Sequence, residues 1–170
     1  MTLKIIGAIM ILLSCGGVGF QMATAQRKEI RILEQLCSLL DYMACELEYR
    51  MSPLPMLCRN VAKNAEGNLQ KLFLYLAQEL ESQISPEASS CMNVALSRCK
   101  GLPQQAVVIL QELGSTLGIF DIQGQLTGLE ASLSACEQRL NVLRRNKDNR
   151  LRSYQTLGLC AGAALVILFI

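Results

Sequence analysis

The chain has 170 residues, room for one domain, and 51% of them are hydrophobic, with no His and no Trp. Its net charge of +2 hides a polarity: residues 32–138 hold twelve Asp and Glu against six Lys and Arg, whereas residues 139–152 hold six Lys and Arg against one Asp. An acidic body with few aromatics repels phosphates and offers little for bases to stack on, so no nucleic-acid partner is expected, while the basic rim suits a membrane surface.

The eight Cys show no C-x-x-C spacing, and no His is present to complete a zinc site, so no metal or cofactor is expected. Most of these Cys fall at apolar helical positions, as small buried hydrophobes do in a reducing compartment.

In chain order, Ile5 to Phe20 is apolar apart from Ser14. Extended to Ala25, the run gives roughly 31 Å of helix, enough to cross a bilayer. Ala23-Thr24-Ala25 looks like a signal-peptidase site, and Leu12-Leu13-Ser14-Cys15 loosely like a lipoprotein box. Arg27, Lys28 and Arg31 come at once after it, and positive charge there opposes export of the residues beyond. The expected reading is therefore an uncleaved transmembrane helix over 4–25.

The helix continues without a breaker through Ile30, Leu33, Leu36 or Cys37, Leu40, Met43 or Ala44, and Leu47, then stops at Ser52-Pro53. Ser52 is expected to cap a short helix that starts at Pro53 and runs to about Ala62. After a turn at 64–68, Leu69, Leu72, Phe73, Leu76, Ala77 and Leu80 mark another amphipathic helix ending near Ile84. Ser85-Pro86 repeats the cap-plus-proline start, with Cys91, Val94, Ala95 and Cys99 as a weaker apolar stripe. Gly101-Leu102-Pro103 starts the next helix, with Ala106, Val107, Leu110 and Leu113 inward. Gly114 to Gly118 turn the chain, and Asp121 is placed to cap the final helix.

From there the chain reads as one long helix. Ile122, Leu126, Leu129, Leu133, Cys136, Leu140 and Leu143 recur at steps of four and three, the seam of a helix packing on other helices. Next comes a basic collar: Arg139, Arg144, Arg145, Lys147, Arg150 and Arg152. Tyr154 to Ile170 is then expected to form a second transmembrane helix, with the arginines snorkelling to make up its length. Gly158 and Gly162 suit either docking against the first span or ordinary membrane-helix composition.

The expected fold is all-α: an antiparallel bundle of about six helices at 26–153, between transmembrane helices at 4–25 and 154–170 that run continuously into its first and last helices. Basic clusters flank the central domain at both joins, which places it in the cytoplasm. No phosphate loop, triad or His–Cys pair is present, so an enzyme is not expected.

Several local patterns resemble the stage III sporulation protein AB family along the whole chain. They are Leu3-Lys4-Ile5-Ile6-Gly7-Ala8, Gly19-Phe20-Gln21-Met22-Ala23, and Leu47-Glu48-Tyr49-Arg50-Met51-Ser52-Pro53-Leu54. Further on come Leu113-Gly114-Ser115-Thr116-Leu117-Gly118 with Asp121 and Gln125, and Leu157-Gly158-Leu159-Cys160-Ala161-Gly162. Their order and spacing carry the likeness, and Ser52 departs from it, where Thr is usual. The resemblance implies a component of a complex linking mother cell and forespore, on the mother-cell side. It also implies a distant kinship with type II secretion and type IV pilus platform proteins. A cytoplasmic ATPase similar to stage III sporulation protein AA would be the natural partner.

The expected function is a non-enzymatic membrane platform, with a membrane-anchored helical adaptor unrelated to sporulation as the alternative. Candidate partner residues are Glu46, Glu48, Tyr49, Arg50, Gly114, Gly118 and Asp121 at the end furthest from the membrane, where capping and turn roles would explain them equally. Arg144, Arg145, Lys147, Arg150 and Arg152 are the candidates for lipid headgroups. A second copy of the chain is a further partner that this reading admits.

Overall fold

The computed structural model describes residues 27–82, 87–118 and 121–169, with side chains through residue 146. The regular elements among the described residues are six α-helices: α1 (27–50), α2 (Leu54–Asn64), α3 (Gly67–Ser82), α4 (Ala88–Arg98), α5 (Gln104–Thr116) and α6 (Ile122–Phe169). Short connections return each helix along its predecessor, so α2 packs on α3, α3 on α4, α4 on α5 and α5 on α6. α1 closes the bundle against α6, where Cys37 meets Cys136 and Arg144 reaches Glu34.

α1 buries one stripe: Ile30, Leu33, Leu36, Leu39, Leu40, Met43 and Leu47, the three-and-four spacing of a helix facing a core. Leu57, Cys58, Val61 and Ala62 of α2, and Leu69, Leu72, Phe73, Leu76 and Ala77 of α3, complete that side. Removing these side chains from water stabilises the fold by about 1.5–3 kcal/mol for each large one, before ordering entropy is subtracted.

The α1–α2 corner differs from expectation. Pro53, not Ser52, caps α2: its carbonyl accepts from Leu57 N at 2.9 Å, and no side chain caps the helix. Proline supplies the reason, since Pro53 is held extended at φ −56° and ψ 142° and Pro55 lies in the first turn, where its missing N–H goes unneeded. The corner itself is made by Met51, a non-glycine residue in the left-handed region at φ 47°. The expected Ser85-Pro86 cap lies outside the described residues; the N-cap of α4 is Glu87.

The inward faces are shifted in three helices. α4 buries Met92 where Val94 was expected, and α5 buries Ile109 where Val107 was expected. Met92 is drawn in because Gly114 faces it: a Cβ built on Gly114 would lie 2.7 Å from Met92 Cβ. On α6 the seam buries Leu129, Cys136 and Leu140 and half-buries Leu126, Leu133 and Leu143, whereas Ile122 stays 40% exposed. Gly128 and Ser132 join the inward face, because Thr116 of α5 presses against Gly128, where a Cβ would lie 2.7 Å from both Thr116 Cβ and Oγ1.

Asp121 caps α6 as expected: its Oδ1 accepts from Gly124 N at 3.0 Å. α6 spans 48 residues without a break, about 72 Å at helical rise. Among the described residues no helix is long and apolar enough to cross a membrane. The expected first span lies outside those residues, and of the second only the helical backbone is described.

Candidate functional site: the two ends of the bundle

The up-and-down course gathers chemistry at two ends. At one end the C-terminus of α1, the N-termini of α2 and α4, and the α5–α6 turn converge. Gly118 marks the point, since a Cβ there would lie 3.2 Å from Leu54 Cδ1 and 3.6 Å from Ala88 Cβ. Its φ of +80° lets the chain turn from α5 toward α6 in a conformation that side chains disfavour.

The candidate partner residues fare differently at this end. Glu48, Tyr49 and Arg50 are exposed, Tyr49 at 80%, and Gly118 and Asp121 lie at the surface beside the turn. Glu46 and Gly114 are buried. Glu46, at 6% exposure, lies three residues beyond Met43 and seven beyond Leu39, in register with the core stripe. Its Oε1 accepts from Tyr42 Oη at 2.8 Å and from an Arg50 guanidinium nitrogen at 3.1 Å, which offsets part of the cost of burying a carboxylate whose Oε2 has no partner among the described residues. Gly114 serves the close approach of α4 and α5.

Sequence reasoning passed over two residues here. Met51 and Met56 are 67% and 58% exposed and flank the α1–α2 corner just after Tyr49, adding an apolar component to the end. The signal was the pair of prolines at 53 and 55, which confines this segment to a turn and a helix start.

At the opposite end, α1 begins beside the α2–α3 and α4–α5 turns. Arg31 lies 4.0 Å from Glu66, Asn68 Nδ2 donates to Lys100 O at 3.3 Å, and Cys99 Sγ donates to Asn68 O at 3.1 Å. A cavity of about 390 Å³ opens between Lys28, Arg31 and Gln35 of α1 and the start of α3. Arg144 pairs with Glu34 at 2.5 Å, and Arg145 beside it is exposed. The side chains of Lys147, Arg150 and Arg152 lie outside the described residues. No group of Cys, Asp and Glu suited to holding a metal ion occurs among the described residues.

An up-and-down bundle, with exposed charged and aromatic residues at one end and a final helix far longer than the rest, defines an all-α helical-bundle protein among the described residues. The chain belongs to the stage III sporulation protein AB family: the family model of that description matches residues 4–170. It is therefore a sporulation protein. A solved structure titled "Stage III sporulation protein AB" has the same fold, with a TM-score of 0.64 at 21% identity, over 72% of this chain and 98% of that one. No curated protein matches the chain significantly.

Proposed function

We propose that the chain is a non-enzymatic membrane platform in the channel complex that joins mother cell and forespore, seating a secretion-type ATPase and coupling it to the channel. Residues 4–25 and 154–170 cross the membrane in this reading, and 26–153 form a cytoplasmic bundle on the mother-cell side. The observation that carries it is α6, one helix from Ile122 to Phe169 that joins the bundle to the apolar tail without a proline. Unbroken helix is stiff on this length scale, so displacement at the Asp121 end would be passed along the axis. Membership of the sporulation family supplies the setting.

The ATPase contact is assigned to the end bearing Glu48, Tyr49, Arg50, Gly118 and Asp121. Exposed aromatic and arginine side chains are the common anchors of protein interfaces. Glu46 and Gly114 support that surface from beneath. The membrane contact is assigned to the collar, Arg144, Arg145, Lys147, Arg150 and Arg152, through anionic headgroups. A second copy of the chain would add to the platform.

Deletion of the gene tests the role, with spore formation expected to arrest after engulfment while vegetative growth stays normal. Normal spore yield would refute it. For the contact, Glu48→Lys with Tyr49→Ala is expected to abolish co-purification of the ATPase while leaving the melting temperature unchanged. Undiminished recovery of the ATPase would overturn the assignment.

A further inference from the structure

Cys37 of α1 and Cys136 of α6 bring their sulfurs to 2.7 Å across 99 residues of chain, closer than two thiols need for a hydrogen bond. Cys37 is half-buried. Cys136 is fully buried, its Sγ also 3.4 Å from Leu33 O, which orients it toward α1. The two therefore differ as an entry thiol and a resolving thiol differ.

We propose that Cys37 and Cys136 are a modification site: a peroxide converts the pair into a disulfide that staples the first helix of the bundle to the last. Cys37 sulfur attacks a peroxide oxygen, the O–O bond breaks, and a sulfenic acid and one water (or alcohol) result. Cys136 sulfur then attacks the sulfenic sulfur, the S–O bond breaks, and a second water leaves with the thiol proton. Two thiols and one peroxide become one disulfide and two hydroxyl products, so atoms and electrons balance. Reduction by a small thiol reverses the bond.

Burial raises both thiols above their ordinary range, Cys136 further than Cys37, with Cys37 partly offset by its bond to Cys136 and by Arg144 nearby. The thiolate fraction is therefore small at neutral pH, and the pair closes faster as pH rises. Once formed, the bond removes freedom from the unfolded chain over a long loop and prevents α1 from sliding along α6. If α1 and α6 lead into the membrane, as the proposed function has it, the same bond holds the two membrane joins in one register. The cross-link itself does not depend on that reading.

The test uses the full chain in detergent, treated with hydrogen peroxide, quenched with alkylating reagent in denaturant, and mapped by mass spectrometry without reduction. A Cys37–Cys136 linked peptide is expected as the main intramolecular product, lost on reduction and absent from Cys37→Ser and Cys136→Ala. Oxidation is expected to raise the melting temperature of the wild type and of neither variant. Recovery of Cys136 as the free thiol while Cys37 or Cys45 is oxidised would overturn the proposal. A linked peptide joining Cys37 to any other Cys would do the same. Because the mapping is made on the wild-type chain, poor folding of a variant leaves the result intact. Normal sporulation in a gene deletion would defeat the proposed function and leave this cross-link standing.

Discussion

Tyr42 donates its hydroxyl to Glu46 Oε1 at 2.8 Å, one helical turn further along α1. With Arg50 a turn beyond, the three form a ladder at i, i+4 and i+8 on one side of the helix. The ladder carries a buried carboxylate to the exposed end of the bundle. Tyr42→Phe removes one donor from that carboxylate and is expected to cost about 1–3 kcal/mol, read from denaturant midpoints at pH 7.

The same bond raises the Tyr42 phenol above its ordinary value near 10.0, with burial as the second cause. A raised folded-state value means the stabilisation is full below about pH 10 and is lost as pH rises through the raised value. The stability gap between wild type and Tyr42→Phe is therefore expected to narrow in the alkaline limb above about pH 10. A gap that stays constant to the end of that limb would show that the phenol titrates normally.

Gly114 and Gly128 set the spacing of α4, α5 and α6. Gly114→Ala drives a methyl to 2.7 Å from Met92 Cβ, which sits on the opposing helix close to its backbone. A loss of about 1–3 kcal/mol is expected from overpacking. Gly128→Ala meets Thr116 Cβ and Oγ1, both at 2.7 Å, so a loss of the same size is expected, and in both variants about 1 kcal/mol of helix propensity offsets part of it. Thermal melts of the two variants check the losses.

Met51 offers the opposite case. Its φ of 47° costs a side chain roughly 1–2 kcal/mol, which glycine avoids at the expense of about 0.4–1 kcal/mol of unfolded-chain entropy. Met51→Gly is expected to raise the melting temperature slightly, and Met51→Val, β-branched, to lower it.

Thiol reactivity should track burial. Cys45 is exposed and is expected to be alkylated first among the described cysteines under native conditions. Cys58 is buried with its pKa pushed up to about 12 by desolvation, so its labelling should await global unfolding. Time-resolved mass spectrometry of the labelled chain gives the two rates directly.

At the other end of the bundle, Glu34 and Arg144 are 2.5 Å apart with side chains 43% and 53% exposed. Solvent screens such a pair, so Arg144→Ser should change stability by about 1 kcal/mol or less. Arg144→Ser with Arg145→Ser is expected to weaken binding of the full chain to anionic vesicles by several-fold at low salt. Equal binding by wild type and variant would remove these residues from the membrane contact.

Much of the bundle was legible because helical periodicity and proline placement are local properties. The α1 stripe, the α3 stripe and the Asp121 cap all arise from residues within a few turns of one another. The errors cluster where the deciding atom belongs to another helix. Met92 turns inward because Gly114 of α5 leaves room, and α6 faces Gly128 and Ser132 inward because Thr116 needs that room. Ser52 lost the cap to Pro53 one residue on, a choice made by the backbone path through Met51.

At the candidate surface, side-chain type drew attention to Glu46, Glu48, Tyr49 and Arg50 together, but their helical phase divides them. Glu46 shares the phase of Leu39 and Met43 and goes inside, Glu48 and Tyr49 fall on the outer face, and Arg50, in phase with Glu46, is exposed because α1 ends there. That division was readable from spacing alone, with Tyr42 four residues before Glu46 and Arg50 four after as its signal.

The sequence by itself determined an all-helical bundle, the proline breaks before α2 and α5, the unbroken final helix, and a basic collar apart from an acidic body, because hydrophobic period, proline and charge act along the chain. Only the tertiary structure decided which glycines are contact points and how far α6 is rotated against α5. It alone brought Cys37 to Cys136, since 99 residues of separation carry no local signal of that meeting and the packing of α1 on α6 creates it.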